Sequence, residues 1–163
     1  MGELVWSDGL LKQARRTRDD VADALGSLGV EGELVLTGGA SVAGALTRGD
    51  IDLHLRVEAD AFDAVVTRLR STYPVASPKS WAATLAVFDV PARLPTGLAV
   101  TPIGSEHDQR FCLSWQALRR DPALLAQYND FKSATLGTDE YEQRKSAFFS
   151  TLAGEGQHRP SRE

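Results

Sequence analysis

Two aspartates, Asp50 and Asp52, stand ten residues beyond a double glycine, Gly38-Gly39, in the run GGASVAGALTRGDIDLH that ends at His54. Side chains two apart on a strand point the same way, so Asp50 and Asp52 share one face while Ile51, Leu53, Leu55 and Val57 share the other. Carboxylates about 6–7 Å apart along a strand can hold a hard divalent cation, which takes oxygen ligands, and leave coordination positions open to substrate phosphates. Gly38 and Gly39 have no Cβ, so backbone N–H groups there can approach a polyphosphate closely. The order glycines, short connection, paired acids describes a site that handles phosphate. Asp50-Asp52 alone describes a solvated strand start; the preceding glycines shift the balance. GxGxxG is unmatched, and the acids come sooner than the roughly 20-residue Rossmann interval. A P-loop lacks its Gly-Lys-Ser/Thr.

Those residues need strands and helices to position them. Leu4-Val5-Trp6 is extended, and Ser7 or Asp8 can cap a helix from Gly9 to Leu25, striped by Leu10, Leu11, Ala14, Val21 and Leu25. Arg15, Arg16 and Arg18 form its solvated face. A strand is predicted over Glu33 to Thr37, a short helix over Ser41 to Leu46 and a second strand to Val57. A helix from Ala59 to Thr72, a strand from Trp81 to Val90 and a strand from Leu98 to Ile103 follow. Helices are predicted over Leu113 to Arg120, from Asp121-Pro122 to about Lys132, and from Thr138-Asp139-Glu140 to Leu152. The C-terminal helices are expected to cover the sheet. The fold class is α+β, a mixed sheet of four or five strands flanked by helices.

Asp89 sits between Phe88 and Val90, where a charge is costly unless exposed or paired. It is either a third carboxylate converging on Asp50 and Asp52 or a cap of the turn at Pro91. Lys132, Lys145, Arg119 and Arg144 lie on the last helices, and each taken singly reads as a solvated charge.

The 163 residues suit one domain, placed at 1–153, and GEGQHRPSRE at 154–163 is expected to be a disordered tail. Eighteen Lys plus Arg against 22 Asp plus Glu gives a net charge of −4, which argues against broad nucleic-acid or anionic-membrane binding. Cys112 is the lone cysteine, so no internal disulfide or thiolate metal cluster forms, which fits a reducing cytosol. No apolar stretch approaches the roughly 18 residues that span a bilayer, and MGELVWSDGL has no leader pattern. The expectation is a cytoplasmic protein.

The double glycine followed after ten residues by Asp-Ile-Asp-Leu resembles the signature of the DNA polymerase beta-type nucleotidyltransferase superfamily. Within it, GGASVAGALTRGDIDL resembles the GS-T-S-V-P-G-L stretch, ending in a strand aspartate, that marks the GrpB family. PALLAQYNDFK and the later Tyr141 and Lys145 are similar to that family's closing helices, so the resemblance covers most of residues 1–152. Departures are specific. Gly39 replaces the usual serine and Ala43 the usual proline; Asp50 stands where many GrpB proteins have an apolar residue. A phenylalanine-arginine-aspartate run is missing near Ser114-Trp115-Gln116, and histidines of the fourth strand are replaced near Gly97 and Ala99.

The resemblance implies attack by an acceptor on the α-phosphorus of a nucleoside triphosphate, ATP foremost, with Mg²⁺ or Mn²⁺ held by Asp50, Asp52 and, if it converges, Asp89. If it converges, Asp89 would bind a second metal or take the acceptor's proton. Gly38, Gly39 and Ser41 would hold the phosphates, with Lys132 or Lys145 adding positive charge. His54 would act behind the ligands, and Trp115 would stack on a base or pack in the core. The acceptor is open. Two other readings stand beside this one: a nucleotide- or partner-binding module without turnover, and nucleotidylation that activates a carboxylate for amide ligation.

Overall fold

The computed structural model describes residues 3–157. Its main sheet has four strands: β2 (Glu33–Thr37), β4 (Ile51–Val57), β5 (Ala86–Val90) and β6 (Thr96–Pro102), in the spatial order β2-β4-β6-β5. β4 runs parallel to β6 and the other neighbours are antiparallel, so the sheet is mixed. A two-stranded ribbon joins β1 (Val5–Trp6) to β3 (Leu46–Thr47).

The alternation in β4 decides which face is which. Ile51, Leu53, Leu55 and Val57 are buried against α1 (Leu11–Ser27) and α2 (Phe62–Arg70), in one core with Leu36, Phe88 and Leu98. Each such side chain removed from water contributes about 1.5–3 kcal/mol, which fixes the register. Asp52, His54 and Arg56 therefore face the other way. That face is flanked by α3 (Glu106–Arg120), α4 (Pro122–Thr135) and α5 (Tyr141–Gln157). These three pack mainly on one another: Leu118, Tyr128 and Leu152 form a second core with Val42 and Ala45, against which Phe148 and Phe149 lie. The helices thus stand over the polar face of the sheet, as expected, and leave a cleft between themselves and the strands. Among the described residues no helix is long and apolar enough to cross a membrane.

Several local expectations are corrected. The segment predicted as a helix over 41–46 is a 3-10 turn, Gly39–Ser41, followed by β3. The N-terminal segment imposes this: Ser7 Oγ donates to the Val42 carbonyl and accepts from the Ala45 N–H, Ser7 N–H donates to the Ala45 carbonyl, and Asp8 accepts from the Gly44 N–H. Ser7 and Asp8 are spent on that loop, and α1 has no side-chain cap. The third strand begins at Ala86, not Trp81, whose indole N–H is taken by the carbonyls of Ala76 and Val87. α3 begins at Glu106 with Ser105 as its cap, seven residues before the predicted Leu113. α5 reaches Gln157, into the segment expected to be a tail; residues 158–163 lie outside the described ones.

Candidate functional site

β2 ends at Thr37, whose cross-strand partner is Asp52. The chain then turns at Gly38 with φ 72° and ψ −176°, a combination that is essentially glycine's alone. A Cβ built there would lie 2.2 Å from Asp52 Oδ2, so the backbone passes directly against the carboxylate. Asp52 is half-buried and Asp50, one position before β4, is exposed. Burial, and then the charge of Asp50, push the Asp52 carboxyl up to about 6, while Lys145 and Lys132 pull it down. A carboxylate raised first by burial and then by a like-charged neighbour signals negative charge that the protein leaves under-compensated. An all-oxygen donor pair of that kind suits Mg²⁺ or Mn²⁺.

Opposite the acids stand the lysines. Lys132 is 6% exposed, and its ammonium donates to the Tyr128 hydroxyl at 2.9 Å while lying 5.1 Å from that ring's centre. Burial, and next the charge of Lys145, bring its amine down to about 8, with Asp50 acting the other way. Lys145 Nζ lies 5.8 Å from the centre of the Tyr141 ring, which Arg48 approaches at 5.4 Å. Neither lysine is the solvated charge it resembles singly. Both sit four residues after a tyrosine, in YNDFK and YEQRK, a spacing that lays the amine over the ring one helical turn back. That repeat was the readable signal for Tyr128 and Tyr141, which sequence reasoning did not assign to the site. Gly39 admits the Tyr128 hydroxyl, since a Cβ there would come within 3.2 Å of it.

Two candidates fall elsewhere. Ser41 Oγ donates to the Gly38 carbonyl at 2.7 Å and accepts from Arg119 at 3.0 Å, so its hydroxyl pins the loop and is committed. Asp89 is exposed on the edge strand β5. It pairs with Gly97, which pairs with Asp52, so both acids face the same side about 10 Å apart, two strand spacings, with Gly97 between them. Asp50, Asp52, Gly38, Gly39, Lys132 and Lys145 are brought together.

A cleft of about 480 Å³ opens beside Asp52. Its floor includes His54, Gly97 and Ala99, and its walls are α3, through Phe111 and Trp115, and α5, through Lys145 and Phe149. Trp115 packs edge-on to Tyr128 and tilted against Phe149, so its ring serves as wall and core at once.

A second polar network fastens α3 to the sheet. Asp108, fully buried, takes both Nε and an Nη of Arg56 at 2.6 and 2.9 Å and the Gly104 N–H at 2.9 Å. Burial is the strongest single influence and opposes ionisation, but the hydrogen bonds from Arg56 and Gly104 and the charges of Arg56 and His54 together outweigh it and hold the Asp108 carboxyl below its ordinary value. His54 turns its Nε2 to Thr101 Oγ1 at 2.7 Å and to Asp108 at 3.6 Å, away from the role behind Asp52 expected for it. Burial lowers its imidazole to about 4, so it is neutral at physiological pH. His54, Asp108 and Cys112 lie within 4.8 Å of one another, yet the guanidinium of Arg56 already occupies the Asp108 carboxylate as a cation would. The trio is a structural latch.

No family model and no curated protein matches the sequence. Among solved structures, the conserved protein GrpB from Enterococcus faecalis is similar over 94% of this chain and 96% of its own, at 16% identity and a TM-score of 0.70. The Cid1 poly(U) polymerase, with MgGTP bound, matches 83% of this chain and 48% of its own at 15% identity and a TM-score of 0.53. The GLD-2/RNP-8 complex matches 89% of this chain and 57% of its own at 17% identity and a TM-score of 0.54. The chain thus spans about half the length of the last two. At these identities the likeness establishes the fold, which is the nucleotidyltransferase-type α+β fold in its GrpB-like form.

Proposed function

We propose that this chain is a Mg²⁺-dependent nucleotidyltransferase that moves a nucleotidyl group from a nucleoside triphosphate, ATP being the first to test, to a small-molecule acceptor. One observation carries the reading: Asp52 is held against the Gly38 backbone, with the charges of Asp50, Lys145 and Lys132 acting on its carboxylate. Cid1, of the same fold, holds MgGTP. Asp50 and Asp52 would hold the cation, which when bound supplies charge neutralisation for the polyphosphate and its leaving group. Backbone N–H groups at Gly38 and Gly39 approach the phosphates, and Lys132 and Lys145 neutralise their oxygens. The acceptor's oxygen forms a bond to the α-phosphorus while the bond to the pyrophosphate oxygen breaks, and pyrophosphate leaves with that electron pair. The acceptor's proton passes to water in the cleft, since Asp89 lies across Gly97 about 10 Å from Asp52. Protein given Mg²⁺, mixed nucleoside triphosphates and cell extract should release pyrophosphate, and Asp50→Ala/Asp52→Ala protein should not.

Asp89→Asn protein is expected to bind Mn²⁺ and nucleotide and to turn over as the wild type does, because a carboxylate about 10 Å from Asp52 is beyond hydrogen-bond reach of the reacting atoms. Its melting temperature should hold, because the side chain is exposed. A parallel fall in stability and turnover would make Asp89 a turn cap. The placement of Asp89 two strands from Asp52 also favours a second reading, a nucleotide-binding module without turnover. Tight, Asp52-dependent nucleotide binding with no pyrophosphate release from any extract would select it.

Nucleotide affinity should peak between pH 6 and 8. Asp52 must lose its proton to hold a cation, so binding weakens below about 6. Lys132 must keep its proton to neutralise phosphate, so binding weakens above about 8. Calorimetry of Mn²⁺-nucleotide across pH reads both limbs, and Lys132→Gln should remove the upper one.

A further inference from the structure

The cleft beyond Asp52 carries features that metal and triphosphate binding leave unused. Two buried hydroxyls, Thr37 Oγ1 and Ser114 Oγ, have no hydrogen-bond partner among the described residues, and both residues line it. Thr37 is 8% exposed and Ser114 2%, where an unpaired hydroxyl is costly. Their directions are set by the fold. Thr37 shares the face of its cross-strand partner Asp52, and Ser114 shares one helical stripe with His107, Arg110, Phe111 and Trp115 at spacings of three and four. Gly97 and Ala99 hollow the floor: a Cβ on Gly97 would meet only Asp52 Oδ1, at ordinary contact distance. Phe111, Trp115 and Phe149 supply apolar walls against which a ring can pack. Arg110 reaches Ser150 on α5 at 3.3 Å and has no carboxylate partner among the described residues. The volume, about 480 Å³, lies in the range of small-ligand sites, about 300–1,000 Å³.

Resting on the nucleotidyltransferase reading, we infer that this cleft is the acceptor site and that its acceptor is a small aromatic acid bearing a hydroxyl. The ring lies between Phe111, Trp115 and Phe149. Its hydroxyl exchanges hydrogen bonds with Thr37 and Ser114 at the Asp52 end, where transfer takes place, and its carboxylate meets Arg110. Such a site selects for the hydroxyl, because an analogue without it leaves both protein hydroxyls unpaired. A folded nucleic-acid strand is too large for the cleft.

The test is calorimetry on the full chain with para-hydroxyphenylpropionate as probe, phenylpropionate as the analogue lacking the hydroxyl, and adenosine as the competing class. The hydroxylated probe should bind at least about tenfold tighter than phenylpropionate. Ser114→Ala and Thr37→Val should each remove most of that preference without lowering the melting temperature, since each deletes an unpaired hydroxyl. Ala99→Phe should block both ring acids by filling the floor. Equal affinity for the two acids, variants that weaken both alike, or no binding of either would overturn the inference. Adenosine bound in their place and weakened by the same variants would overturn it too, giving the cleft to the nucleoside. Pyrophosphate release that depends on Asp52 with no probe binding defeats the acceptor inference alone. Probe binding of the stated pattern with no Asp52-dependent release defeats the nucleotidyltransferase reading and leaves the pocket standing.

Discussion

Asp52→Asn protein is expected to melt several degrees higher than the wild type at pH 7.5 while losing divalent-metal-dependent nucleotide binding by at least about 100-fold. The two effects share one cause. Burial, and then Asp50, raise the Asp52 carboxyl from 3.8 to about 6, so the folded chain holds this proton more tightly than the unfolded chain does. For a carboxyl raised in that direction, the stabilisation is present below the unfolded value and is lost as pH rises through about 6. At neutral pH the ionised group therefore costs stability, on the order of 1–3 kcal/mol with partial exposure discounted. Asparagine keeps the shape and removes the charge, and for a chain of this size each kcal/mol moves the melting temperature by about 2–4 °C. The gain should shrink as pH falls through about 6, and vanish below 3.8, where the wild-type carboxyl is protonated in both states. Mg²⁺ should raise the melting temperature of the wild type and leave that of the variant unchanged. A variant that melts lower at pH 7.5, or binds Mn²⁺-nucleotide undiminished, would remove the paired-carboxylate site.

Such a pair of like charges is legible in sequence because everything that makes it is local. Asp50 and Asp52 belong to one strand whose alternation is set by Ile51, Leu53, Leu55 and Val57, and the buried face of β4 follows that alternation residue by residue. Gly38-Gly39 lie at the end of a strand whose limits, Glu33–Thr37, also follow from local propensity. The misread parts depend on partners far along the chain. Residues 41–46 have the composition of a short helix, and only Ser7 and Asp8, more than thirty positions away, draw them into a turn and a strand. Arg56 looks like a solvated strand residue until Asp108, 52 positions on, takes its guanidinium at full burial. That pairing also explains why α3 starts earlier than its apolar stripe suggests: its first turns are polar because Asp108 faces the latch and His107 the cleft. Asp89 shows the opposite case. Its apolar neighbours require the charge to be exposed or paired, and an edge strand exposes alternate residues to water at little cost.

The second large effect is expected at Gly38. Gly38→Ala protein should lose about 3–5 kcal/mol of stability, or keep its fold only by displacing Asp52 and with it metal-dependent nucleotide binding. Two penalties combine. A φ of 72° with ψ near 180° costs a side chain about 1–3 kcal/mol in backbone strain alone. The added methyl would also sit 2.2 Å from Asp52 Oδ2 and 2.9 Å from its Cβ and Cγ, inside any tolerable contact. Two other glycines separate the penalties. Gly49 has φ 90° with nothing within 4 Å of a built Cβ, so Gly49→Ala measures strain without contact, about 1–2 kcal/mol. Gly97 has room at 3.6 Å from Asp52 Oδ1 and no positive φ, so Gly97→Ala should be nearly silent. A double-mutant cycle then isolates the cradle itself: Asp52→Gly removes all three contacting atoms, so Gly38→Ala should cost about 1–3 kcal/mol less in that background. Urea unfolding of the four proteins gives the coupling. A coupling near zero, or Gly38→Ala protein that melts with the wild type and binds Mn²⁺-nucleotide normally, would mean that the Gly38 backbone does not hold the Asp52 carboxylate in place.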